Sequence, residues 1–156
     1  MKKLEKKVNL LIDYVTAESG SDTESILSEL RKLKEEASKK TVKRVVEDIL
    51  TTLGIPTKLS GYKFTVTAVE LLIEDPKLHK GIVKNLYPKV AEKHNCSSGS
   101  VERCIRHSIE TFCERGDTEV IYEFFGNAVH TEKGKPTNSE FLARLCQEVE
   151  REMESN

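Results

Sequence analysis

An all-α fold, with a helix-turn-helix at its centre and a helical hairpin ahead of it, is predicted by three features of this sequence. Apolar residues recur at spacings of three and four through most of the chain. Glycine, proline and Asp/Ser/Asn clusters interrupt those runs where helix ends and caps belong. No hairpin turn signal divides any apolar run into paired strands. At 156 residues, 33% charged and 37% hydrophobic, the chain has room for one domain and a small appendage, and its composition suits neither disorder nor membrane insertion. No apolar stretch approaches the roughly 18 to 20 residues of a membrane-spanning helix. Met1-Lys2-Lys3 leads into no signal-peptide core, so a cytoplasmic protein is expected.

Taken in order, residues 1–17 read as a first helix, with Leu4, Val8, Leu11, Ile12 and Val15 on one stripe. Gly20 ends it, and Ser21 or Asp22 caps a second helix over 23–39 that buries Ile26, Leu27, Leu30, Leu33 and Ala37. The two form an antiparallel hairpin with a narrow apolar stripe, which must pack on the main body or on another copy. Residues 1–40 are therefore a candidate dimerisation or docking element, and residues 41–156 the main domain. From Thr41, the residues Val42, Val45, Val46, Ile49, Leu50 and Leu53 line a helix that Gly54 and Pro56 terminate. Residues 61–74 follow as a strongly apolar helix closed by Asp75-Pro76. A helix over 77–86 comes next, and Pro88 opens a short one to His94. Asn95 to Ser98 form a turn.

The stretch His94 to Gly116 is where chemistry concentrates. Val101, Ile105, Ser108/Ile109 and Phe112 share one side of a helix. Glu102, Arg103 and Arg106 fall on the other, at i, i+1 and i+4. Arginine forks onto a guanine edge and glutamate accepts from a cytosine amino group, so the trio suits a G·C-containing site. The same pattern also describes an ordinary solvated helix with i, i+4 charge pairs. Its setting adds to the DNA reading. A short helix, a turn and a longer helix make the helix-turn-helix layout, with Lys89, Lys93 and the hydroxyls of Ser97 and Ser98 suited to phosphates. Residues 77–107 carry seven Lys/Arg against two acids, whereas residues 108–156 carry five against eleven. That segregation leaves one basic face on a chain of net charge −1.

Beyond this stretch, Asp117 caps a helix to Phe125, residues 126–138 form a loop holding His130, Lys133, Lys135 and Pro136, and Thr137, Asn138 or Ser139 caps a final helix. Phe141, Leu142, Leu145, Cys146 and Val149 are its inward face. Cys96, Cys104, Cys113 and Cys146 form no Cys-x-x-Cys pair and are read as thiols. His94 with Cys96, and Cys104 with His107, lack the repeated spacing of a metal site, and no metal or other cofactor is expected. Cys104 or Cys113 beside His107 has no oxyanion site and no means of lowering a thiol pKa, so no enzyme is expected either. His79, His94 and His130 have ordinary readings as surface or loop residues.

Five phrases, LGIP (53–56), GY (61–62), LYPKVAEKHN (86–95), SVERCIRHSIE (100–110) and KPTNSEF (135–141), carry a resemblance over residues 52–150. In this order and spacing the chain resembles the C-terminal DNA-binding effector domains of the stage-zero sporulation protein A family of response regulators. The resemblance implies an all-helical domain of about six helices that reads a short G·C-containing box, often as two copies on tandem sites. It implies base contacts for Glu102, Arg103 and Arg106, a backbone position for His107, and phosphate proximity for the loop holding Lys135. Full-length members carry a receiver domain that accepts a phosphoryl group. The residues ahead of position 52 are too few for one, and control is instead expected from expression, from dimerisation through residues 1–40, or from a partner bound there. The expected function is a sequence-specific transcriptional regulator acting on double-stranded DNA; the alternative is an adaptor or competitor that pairs with full-length regulators.

Overall fold

In the computed structural model, which describes residues 9, 11–13, 21–125 and 135–155, the described residues are mostly helical and include no strand. The first long element, α1, runs without interruption over Ser21–Thr52. The break expected near residue 40 does not occur. Ser38-Lys39-Lys40-Thr41 contains neither glycine nor proline, and nothing in it costs enough to stop a helix held at its C-terminal half by Val42, Val46 and Leu50, all buried. Its upstream half behaves differently. Leu27 is buried and Leu30 half-buried, but Leu33, expected on the inner stripe, is 53% exposed. Residues 9 and 11–13 are helical, and Asn9 Oδ1 accepts from Lys34 Nζ at 2.5 Å. The rest of the expected first helix lies outside the described residues, as does the expected loop over 126–134.

Helix α1 ends where the sequence says it should. Gly54 takes a left-handed φ of 72°, and Ile55 N returns to Leu50 O at 3.0 Å. Helix α2, Ser60–Glu74, is buried along most of its length, and its β-branched residues do not make it a strand. The next stretch departs from expectation. Asp75 caps a 3-10 turn, Pro76–His79, and the chain breaks at Gly81, whose φ of 84° is left-handed. Asn85 Nδ2 takes up the Lys80 carbonyl at 2.6 Å. Helix α3 then spans Ile82–Lys93 with Pro88 inside it. Pro88 does not begin a helix; it removes the donor for the Lys84 carbonyl. The helix persists because Leu86, Tyr87, Val90 and Ala91 are anchored in the core.

Asn95, with φ 51°, turns the chain. Asparagine tolerates that left-handed conformation where most residues do not. Helix α4, Ser98–Arg115, follows, then α5, Thr118–Phe125, and α6, Asn138–Ser155. The start of α5 has Asp117 Oδ1 accepting from Glu119 N at 2.9 Å. The start of α6 is a capping box: Glu140 N donates to Thr137 Oγ1 at 3.2 Å, and Thr137 N donates to Glu140 Oε2 at 2.8 Å. Val101, Ile105, Ile109 and Phe112 of α4 are fully buried. Phe112 joins Phe124, Phe125 and Phe141 in a cluster of ring centroids 5.0 to 6.4 Å apart. Each fully buried ring of this kind contributes about 1.5–3 kcal/mol.

Helix α4 lies against α2, α3 and α6. Its crossing with α2 is close because of Gly61. A Cβ there would sit 2.0 Å from the Cys104 carbonyl oxygen and 2.2 Å from Ser108 Oγ. No side chain fits between these two helices at that point.

Candidate nucleic-acid interface

The outer face of α4 is presented by a frame that grips its other sides. At its N-terminus Ser97 is the cap: its hydroxyl accepts from Ser100 N at 3.2 Å and lies 2.9 Å from Ser100 Oγ. At its middle, Ser108 and the Cys104 carbonyl fit against Gly61. The preceding turn is fastened to α2 by His94. Its ring meets Phe64 edge-on at 4.9 Å and its Nε2 lies 2.8 Å from Thr67 Oγ1. His94 is thus a half-buried structural residue rather than a free surface one.

On the outer face, Glu102, Arg103 and Arg106 line one open groove with Gly99 at the start of α4, Val83 of α3, and Thr137, Asn138 and Ser139 at the start of α6. Glu102 and Arg103 are exposed; Arg106 is half-buried. Arg106 donates from one terminal nitrogen to the Pro136 carbonyl at 2.8 Å, and its Nε lies 3.4 Å from Glu110 Oε1. A guanidinium has five N–H donors. Two are engaged here, which aims the group while leaving donors for a further partner.

A family model described as "Sporulation initiation factor Spo0A C terminal" matches residues 46–149. The chain belongs to this family. It therefore contains the DNA-binding domain of a sporulation regulator, and the Spo0A C-terminal family is not an enzymatic one. No helix among the described residues is long and apolar enough to cross a membrane.

Within this Spo0A C-terminal domain the helix-turn-helix is α3, the turn 94–97 and α4. Lys89 and Lys93 stand one helical turn apart on α3, both exposed. Ser97 is exposed and Ser98 half-buried, at the end of α4 where backbone N–H groups lack helical partners. His107 is exposed on α4. Lys135 is displaced from the groove. Its ammonium pairs with Glu114 Oε1 at 2.6 Å, near the far end of α4 and about 18 Å along the axis from Glu102. The hydrogen bond between them holds the Glu114 carboxyl below its ordinary range and lifts the Lys135 ammonium above its own.

Two further residues shape this region, although in the sequence Asn138 reads only as one of three caps and Pro136 as part of a loop. The carbonyl of Pro136 orients Arg106, and the Asn138 side chain reaches both helices of the helix-turn-helix. The one signal available was their membership of the KPTNSEF phrase.

Proposed function

We propose that the chain is a sequence-specific transcriptional regulator that lays α4 in the major groove and reads a short G·C-containing box. Glu102, Arg103 and Arg106 contact base edges, while Lys89, Lys93, Ser97, Ser98, His107 and Lys135 contact the backbone. The observation that carries this reading is the groove shared by Glu102, Arg103 and Arg106, with Arg106 already oriented by Pro136 O. An arginine whose orientation is fixed loses less freedom on forking onto guanine. The lysines position without specifying. The protein works where the DNA is, in the cytoplasm, and performs no covalent chemistry.

Selection of sites from random duplexes at two salt concentrations tests the proposal. Arg103→Ala or Arg106→Ala should lose about 1–3 kcal/mol of discrimination at one base pair. Lys89→Ala or Lys93→Ala should weaken all duplexes and lower the salt slope by about 1. Equal loss on selected and random DNA for Arg103→Ala would remove the base-reading role.

The division into a docking element over 1–40 and an effector domain over 41–156 belongs to the same proposal, with a second copy of this chain as the occupant of the docking element. The exposure of Leu33 on α1 favours it. That exposure also motivates the second reading, an adaptor that pairs with full-length regulators; it differs in showing no sequence-selective DNA binding at moderate salt.

A further inference from the structure

Asn138 is only 8% exposed, at the first residue of α6. Its amide nitrogen donates to Tyr87 Oη of α3 at 3.0 Å and to the backbone carbonyl of Glu102, in α4, at 3.0 Å. Its amide oxygen is buried and meets no hydrogen-bond partner among the described residues. For stability alone this is an expensive choice, because a buried polar atom without a partner forfeits its hydration. What it supplies is placement. A buried polar group whose donors fit only one arrangement excludes alternative registers that an apolar contact would tolerate. Here the two acceptors lie on the two helices of the helix-turn-helix, and one is the carbonyl of a proposed base-reading residue.

We infer that Asn138 is a positioning residue for DNA reading: through Tyr87 and the Glu102 carbonyl it sets how α4 sits relative to α3, and so where Glu102 and Arg103 project. It touches no base in this role. Burial pushes the Tyr87 hydroxyl above its ordinary pKa despite the bond from Asn138, so Tyr87 stays protonated and the clasp keeps one form at neutral pH. The adjoining residues extend the grip, since Pro136 O holds Arg106 and Lys135 holds Glu114. The inference rests on the proposed base-reading role of α4.

The test uses the full chain and the duplex that the wild type selects from a random pool, with a random duplex as control. Asn138→Ala should lose on the order of tenfold in preference for the selected duplex, the scale of one mismatched base pair. Its affinity for random DNA and its salt slope should stay at the wild-type values. Tyr87→Phe removes one acceptor, keeps the ring, and should lose part of the same preference; it carries the test if Asn138→Ala fails to fold. A residue that merely supports the fold lowers the melting temperature and both affinities together. Parallel loss on both duplexes, or an unchanged preference, would overturn the inference while leaving base reading in place. A wild type that selects no sequence would overturn base reading and this inference with it.

Discussion

Among the residues proposed to meet DNA, Lys135 is the one whose free-state partner is most exacting. Its ammonium is bound to Glu114 at 2.6 Å. The depressed Glu114 carboxyl supports the pair above the unfolded carboxyl range and loses it as pH falls through its own lower value. The raised Lys135 ammonium supports it below the unfolded lysine range and loses it as pH rises through its higher value. The pair therefore stands throughout the neutral range, and on the proposed backbone role of Lys135 a phosphate competes with a carboxylate for this lysine. Glu114→Gln should tighten binding to every duplex by several-fold, since it removes the ion pair's attraction and leaves the ammonium only a hydrogen bond to an uncharged amide. Competitive titration in wild-type and Lys135→Ala backgrounds isolates the coupling. A gain that persists without Lys135 reflects only the lost negative charge and removes Lys135 from the backbone-contacting set.

The helices themselves were largely legible because their signals are local. The apolar periods of 60–74, 98–115 and 138–155 and the caps at Asp117 and Thr137 depend on neighbours within four residues. Two misreadings have the opposite cause. Pro88 is accepted inside α3 because Leu86, Tyr87 and Val90 are buried by other helices, and the helix break expected near residue 40 is absent because α1 is held by packing further along. The site divides the same way. The shared face of Glu102, Arg103 and Arg106 follows from their spacing on one helix, whereas Asn138 meets Glu102 across 36 residues and Tyr87 across 51. Gly61 is the extreme case, since its role exists only where α2 crosses α4. Gly61→Ala should destabilise the domain by about 1–3 kcal/mol through overpacking, because the nearest obstacle is a backbone carbonyl that cannot rotate away. Urea denaturation measures this. A wild-type midpoint would mean that the crossing is looser than the 2.0 Å approach to Cys104 O implies.

For the whole molecule, α1 matters most, because its 32 residues make one rod roughly 48 Å long. Its C-terminal half is part of the domain core, where it packs on α2 and α6, and its other half carries exposed Leu33, so one continuous helix joins the upstream face to that core. Leu11 is also exposed, at 58%, and the bond from Lys34 to Asn9 brings its segment alongside Leu33. Leu30 and Leu33 keep the spacing of a helix-bundle seam. The charges around them, Glu29, Arg31, Lys32, Glu35 and Glu36, are of both signs, as a surface that pairs with itself about a two-fold axis requires. Two copies joined there would present two recognition helices related by the two-fold axis to a pair of inverted boxes, and the second contact would become intramolecular. The double variant Leu11→Glu/Leu33→Glu should sediment as a monomer where the wild type sediments as a dimer. Its affinity for a single box should be unchanged, and its affinity for an inverted pair of boxes should fall by a factor on the order of 100. A wild type that remains monomeric at tens of micromolar would exclude the second copy as occupant and leave the face to a different protein, the outcome the adaptor reading requires.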